Sequence, residues 1–165
     1  MARKTPFVNG EKYHIYNRGT EKRRIFLDDK DYERFLFILE SFNRSSNNYD
    51  TSDRIHNHKL GKSRSKEKDP LVSVEKYSLM PNHYHLVFEQ VADNGISKFL
   101  QKVMTGFTMY FNVRYERNGV LFQGKAKSKH IGSEGYYNQV RTYIDLNPVD
   151  LVDKDWKKRG RVASI

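Results

Sequence analysis

The amino-acid sequence predicts an α+β fold, a mainly antiparallel sheet with helices packed on it. Three observations carry this reading. Short runs rich in aromatic and β-branched residues alternate in polarity over residues 12–18, 70–80 and 82–90. Two longer stretches, one opening at Asp28-Asp29 and one at Asn94, space their apolar residues three and four apart, as a helix does. The elements then succeed one another as strand, helix, strand, strand, helix, strand, helix, and the first six match the split β-α-β-β-α-β arrangement.

Taken in order, residues 12–18 form a first strand that ends at Gly19. Asp28 and Asp29 offer N-caps for a helix whose stripe is Tyr32, Phe35, Leu36, Ile38, Leu39 and Phe42. Residues 43–69 are polar, with Asn43-Arg44-Ser45-Ser46-Asn47-Asn48 followed later by Lys62-Ser63-Arg64-Ser65-Lys66-Glu67-Lys68. They have little to bury and are expected to be an exposed insertion between two core elements. Residues 70–80 and 82–90, parted by Pro81, are expected to pair as antiparallel strands. The most regular helical pattern covers 94–118, through Ile96, Phe99, Leu100, Val103, Phe107, Tyr110 and Phe111, with Gly119 expected to end it. Residues 120–131 return to an extended pattern in which Lys125, Lys127 and Lys129 suit a face that meets an anion. A last helix is expected from Ser133-Glu134 to Asn147-Pro148, because the residue before proline avoids the helical region.

The chain has 165 residues, the length of one domain, and a single domain over 1–165 is expected. It has no cysteine, which excludes disulfides, thiolate metal sites and cysteine nucleophiles and fits a reducing cytoplasm. No apolar run approaches the ~18 to 20 residues of a membrane span, and the basic start lacks a signal-like apolar stretch. Thirty Lys and Arg against 20 Asp and Glu leave a net charge of +10, and the pI is near 9.7, which favours a polyanionic partner such as nucleic acid. Eleven Tyr and ten Phe are enough to furnish stacking platforms as well as a core.

On a strand, residues two apart share a face, so His83 and His85 of Pro81-Asn82-His83-Tyr84-His85 present neighbouring imidazoles. Two readings are open, a shared cation or hydrogen-bonded structural histidines. The apolar Leu86-Val87-Phe88 that follows places the pair on a well-fixed strand and favours the first. His56 and His58 share the spacing but lie in the polar insertion and read as solvated. His14 and His130 sit in strand-like segments, either in contact with nucleic acid or simply decorating the sheet. The zinc-deaminase signature, His-Glu-x-x-His, a Walker loop, a dinucleotide glycine fingerprint and a Gly-x-Ser-x-Gly elbow are all absent. A two-metal nuclease site is disfavoured, since no carboxylate cluster accompanies the histidines. On the last helix Tyr136, Gln139, Tyr143 and Asn147 make a polar and phenolic stripe beside Tyr137, Val140 and Ile144. A tyrosine there is placed either to face a metal or to pack with its hydroxyl outward.

Four ordered blocks resemble the REP-associated tyrosine transposases and the wider single-tyrosine HUH transposases of bacterial insertion sequences. They are Tyr13-His14-Ile15-Tyr16-Asn17-Arg18-Gly19, Ser78-Leu79-Met80-Pro81-Asn82-His83-Tyr84-His85-Leu86-Val87, Gly119-Val120-Leu121-Phe122-Gln123-Gly124-Lys125 and Tyr143-Ile144-Asp145-Leu146-Asn147-Pro148-Val149. The resemblance implies a ferredoxin-like antiparallel sheet with an additional C-terminal helix bearing the nucleophile. It further implies a metal site at His83 and His85 on a central strand, Tyr143 as nucleophile and Asn147 as third ligand. The chain departs from the family at Lys125-Ala126, where Arg-Phe is usual, and in its long charged insertion.

The expected activity is therefore that of a DNA nicking and joining enzyme, which uses Mg²⁺ or Mn²⁺ and passes through a 5′-phosphotyrosine on single-stranded or hairpin DNA. Imidazole ligands favour Mn²⁺ over the oxygen-seeking Mg²⁺. Arg18, Lys98, Lys102, Arg114, Arg117, Lys125, Lys127 and Lys129 are the candidates for the phosphate track. A homodimer is one of the assemblies left open. Two rivals remain: a non-catalytic binder, either a ferredoxin-like RNA- or DNA-binding module or a transposase descendant that has lost cleavage, and a replication initiator or relaxase using Tyr136 with Tyr143.

Overall fold

The computed structural model describes residues 6–45 and 69–152. Its elements are β1 (Lys12–Arg18), a 3-10 turn at Thr20–Lys22, α1 (Asp29–Ser41), β2 (Val72–Met80), β3 (His83–Gln90), α2 (Gly95–Arg114), β4 (Lys127–His130) and α3 (Glu134–Leu146), which runs into a 3-10 turn at Asn147–Leu151. The strands form an antiparallel sheet in the order β2-β3-β1-β4. The α+β class and the antiparallel sheet are those expected from the sequence.

Strand alternation divides the side chains between two faces. Tyr84, Leu86 and Phe88 of β3, with Tyr13 and Ile15 of β1, turn to one face and meet Phe35, Ile38 and Leu39 of α1 and Ile96, Phe99, Val103 and Phe107 of α2. Each such side chain removed from water contributes roughly 1.5–3 kcal/mol, which makes this layer the main source of stability. The other face carries a smaller cluster of Val87, Ile131, Val140 and Ile144, with Tyr136, Tyr137 and Tyr143 around it. Helix α3 therefore covers the side of the sheet away from α1 and α2.

A polar clamp joins the two core helices. Asp28 caps α1 by accepting from the Asp31 amide at 3.3 Å. Asp31 is fully buried and accepts from the Leu27 amide at 2.7 Å, the Tyr110 hydroxyl at 3.0 Å, the Tyr115 hydroxyl at 2.8 Å and Arg114 at 2.8 Å. The Arg114 guanidinium also reaches Asp28 at 2.6 Å.

The structure corrects three sequence readings. Helix α2 stops at Arg114, five residues before Gly119. Its cap is a Schellman turn, in which Glu116 takes the left-handed conformation (φ 49°) and the Arg117 amide bonds back to the Asn112 carbonyl at 2.9 Å. Glycine is the usual residue at such a position, so Gly119 drew the expectation. The extended segment 120–131 contracts to β4, because Leu121 and Phe122 are both buried in the core and successive strand residues cannot share a face. Before β4 that segment holds only an isolated bridge between Gly19 and Phe122. Finally, Asn147 keeps helical angles (φ −56°, ψ −41°) and the chain passes directly into the 3-10 turn, with Pro148 in its first turn, where a missing N–H is tolerated.

Most of the expected insertion, and with it His56 and His58, lies outside the described residues. Its two roots are pinned together. The Ser45 amide donates to the Asp69 carbonyl at 3.0 Å, and the Asn43 side chain accepts from the Leu71 and Val72 amides at 2.9 and 3.0 Å while donating to the Val72 carbonyl at 2.7 Å.

Candidate active site on the second face of the sheet

Strand β3 leaves a two-residue turn, Pro81-Asn82, which is tied to the segment after β1. The Pro81 carbonyl accepts from the Ile25 amide at 2.7 Å and the Phe26 amide at 3.1 Å, and the Asn82 carbonyl accepts from Gly19 at 2.9 Å. Gly19 suits this close approach, since any side chain there would overlap the Arg23 carbonyl. A hairpin tip held in this way fixes the first residues of β3, which are His83, Tyr84 and His85.

Tyr84 is wholly buried among the core aromatics, its hydroxyl donating to the Met104 sulfur at 3.0 Å, while His83 and His85 face α3. Their ring centroids lie 5.3 Å apart. The register sets Ser78, His85, Tyr16 and Lys127 in one row across the sheet, and Met80, His83 and Arg18 in the next. His85 Nδ1 lies 2.8 Å from His14 Nε2, and His83 Nδ1 lies 2.7 Å from Asn82 Oδ1. Burial holds the His14 imidazole neutral by lowering its pKa to about 4, with the ammonium of Lys129, its cross-strand neighbour, adding to the effect.

Helix α3 is capped by Ser133, whose hydroxyl accepts from the Tyr136 amide at 3.2 Å, and it presents Tyr136, Val140, Tyr143, Ile144 and Asn147 to the sheet. The Tyr143 ring stands edge-on to His85 with centroids 5.2 Å apart. Asn147 follows one turn later and is 1% exposed. Its Nδ2 reaches Ser78 Oγ at 3.5 Å, and Ser78 is the cross-strand neighbour of His85. Asn147 Oδ1 is buried with no hydrogen-bond partner. Helical angles kept at Asn147 carry the side-chain spacing of α3 through to this residue.

These donors fit a divalent cation. The described residues contain no group of three His, Cys, Asp or Glu that could hold a metal, so a third protein ligand has to be of another kind. A carboxamide oxygen that is buried and unpaired beside the histidine strand is such a donor. Two imidazoles and one amide oxygen suit Mn²⁺ better than Mg²⁺.

The basic candidates divide between the faces. Arg18, Lys127 and Lys129 project beside the histidines, and Lys125 sits on the loop leading into β4. Arg18 donates to the Gln123 side chain. Lys98, Lys102, Arg114 and Arg117 belong to α2 or its cap on the far side, where Lys102 donates to the Arg44 carbonyl at 2.8 Å and Arg117 to Asn112 Oδ1 at 2.8 Å. Arg114 belongs to the α1–α2 clamp. Tyr136 packs at the other end of α3, with Lys129 5.8 Å above its ring and its hydroxyl buried without a partner. His130 pairs with Glu11 at 2.7 Å and is exposed. A groove of about 1830 Å³ runs between α2 and the 120–130 segment, lined by Leu100, Met104, Thr108, Leu121 and Phe122; it does not open on the histidine pair.

The sequence did not assign Asn82 or His14 to the site. Alternation puts His14 on the same side as His85 only once the β1–β3 register is known, and a register is not written in either strand alone.

An antiparallel sheet with helices on both faces is the setting of these residues, and the class of protein, transposase, is shown by a family model. That model, described as "Transposase IS200 like", matches residues 7–147, and the chain belongs to this family. Among solved structures, the chain is similar to a REP-associated tyrosine transposase bound to a REP hairpin, with a TM-score of 0.63 and 13% identity, over 90% of this chain and 73% of that one. At that identity the likeness speaks to the fold alone. A protein of Deinococcus radiodurans R1, described as a candidate transposase, aligns at 15% identity over 88% of this chain and 96% of its own, with a TM-score of 0.47, too low to bear on the fold. No curated protein matches the chain. No helix among the described residues is long and apolar enough to cross a membrane.

Proposed function

We propose that the chain is a metal-dependent single-strand DNA endonuclease and strand transferase with Tyr143 as its nucleophile. The observation that carries this is the seating of Tyr143 against His85, one helical turn before the unpaired amide oxygen of Asn147. His83, His85 and Asn147 would hold Mg²⁺ or Mn²⁺, which supplies Lewis-acid withdrawal of charge from a phosphoryl oxygen.

The phenolic oxygen of Tyr143 attacks the scissile phosphorus in line. The new O–P bond forms as the bond to the 3′ oxygen breaks, the phenolic proton passes to solvent, and the departing oxygen takes up a proton as a 3′-hydroxyl. The 5′-phosphotyrosine keeps the energy of the broken ester, so another 3′-hydroxyl can reverse the step and join strands without a nucleotide cofactor. Arg18, Lys127 and Lys129 lie on this face, with Lys125 on the loop before β4, and are assigned to DNA phosphates. Lys98, Lys102, Arg114 and Arg117 are not, because α2 lies across the sheet from the tyrosine.

Incubating the protein with end-labelled hairpin DNA and Mn²⁺ tests the reading. Wild type is expected to give a protein–DNA adduct that survives denaturation, and Tyr143→Phe to give none. An adduct with the variant would remove Tyr143 from the role. No adduct from either, on varied hairpins that the protein nonetheless binds, would favour a descendant that binds without cutting.

A further inference from the structure

We propose that His14 is a positioning residue that fixes His85 in the tautomer able to ligate a cation, as Asn82 does for His83; this rests on the metal-dependent reading above. The two histidines are held alike. Each has Nδ1 within 2.8 Å of a side-chain atom from outside its own strand's core face: Asn82 Oδ1 at 2.7 Å for His83 and His14 Nε2 at 2.8 Å for His85. Asn82 donates its Nδ2 to the Lys22 carbonyl at 3.4 Å, which identifies Oδ1 as the atom facing His83. A carbonyl oxygen only accepts, so His83 Nδ1 carries the proton and Nε2 the lone pair.

The contact at His85 joins two imidazoles, and either ring is able to donate. If His14 donated, His85 would carry its own proton on Nε2 and could not ligate through it. If His85 donates, both histidines of β3 present a lone pair at Nε2, and the site is consistent with itself. His14 is suited to accepting. It is 2% exposed, and its ring meets that of His85 edge to edge, 21° from coplanar with centroids 5.0 Å apart, as a hydrogen bond between ring nitrogens requires. Tyr16, lying in the row of His85, flanks both rings at 5.2 and 5.8 Å. Either tautomer leaves His14 Nδ1 buried and unpaired, a cost that a merely structural pair would have little reason to carry. Partners of this outer kind orient a ligand ring and raise its basicity.

Two measurements on the full chain test this. Long-range ¹H–¹⁵N spectra of the metal-free protein at neutral pH are expected to show His85 protonated at Nδ1; protonation at Nε2 overturns the proposal. Calorimetric titration with Mn²⁺ is expected to show binding weakened about 10- to 100-fold in His14→Leu, with His14→Gln, whose carboxamide oxygen still accepts, closer to wild type. A folded His14→Leu that binds Mn²⁺ like wild type overturns the positioning role and leaves the metal reading standing. Wild type that takes up no Mn²⁺ overturns both. Should His14→Leu fail to fold, His14→Gln and the tautomer spectrum decide.

Discussion

Tyr84 and His85 are neighbours in the chain and part company at the sheet. Tyr84 goes into the aromatic core, where burial pushes its phenol far above the usual range, while His85 goes to the face covered by α3. The two tyrosines of the argument therefore differ in kind. Tyr84→Ala is expected to destabilise the fold by ~3–5 kcal/mol, as for other large aromatic truncations. Tyr143→Phe, which removes only a hydroxyl from a half-buried ring, is expected to stay within ~0.5 kcal/mol of wild type. Urea unfolding of the two variants checks both. At this scale the sequence was legible wherever alternation or a motif block spoke for itself, as at His83, His85 and Tyr143. It was silent where a contact depends on the pairing of two elements, as that of His14 with His85 does.

Among the elements, the clamp between α1 and α2 shows a device that periodicity does not reveal. The stripes of both helices were readable, but the use of Arg114 was not, since a cation in a last helical turn equally suggests a phosphate ligand. Its hydrogen bond to Asp28 holds that carboxyl below its ordinary 3.8. A carboxylate whose pKa is depressed on folding contributes stability that is complete above the unfolded value and is lost as pH falls through the folded one. Arg114→Ala is thus expected to lower stability at neutral pH, through the stranding of buried Asp31, and also to flatten the decline below about pH 4. Urea midpoints at pH 7 and pH 3 measure both effects; an equally steep decline in the variant would exclude Asp28 as its source. The caps followed the same division. Ser133 and Asp28 are ordinary N-caps and were foreseeable, whereas a Schellman turn with Glu116 in place of glycine was not.

In the whole molecule, cations lie on two sides of the sheet, Lys127 and Lys129 on the histidine face and Lys98 and Lys102 on α2. If DNA lies over the histidine face, each phosphate neutralised there adds ~0.7 to the steepness with which log binding falls against log salt for a single strand. Replacing Lys127 and Lys129 together by Ala is then expected to reduce that slope by about 1.4, and replacing Lys98 and Lys102 to leave it unchanged. Fluorescence anisotropy over a salt series reads this directly, and equal effects of the two pairs would mean that DNA is not confined to one face. Composition announced a polyanionic partner but could not say which side would meet it. On the proposed reading the strand order supplies that, by placing β4 beside β1 with Lys127 and Lys129 on the histidine face.

The hydrogen bond between Ser45 and Asp69 closes a neck at the root of the polar segment. Both sides of the neck are anchored, at the end of α1 and the start of β2, by hydrogen bonds that involve none of residues 46–68. The neck is thus a natural splice point. A protein engineer can graft a reporter or a second binding module there, while the register of β3 against β1 stays as it is.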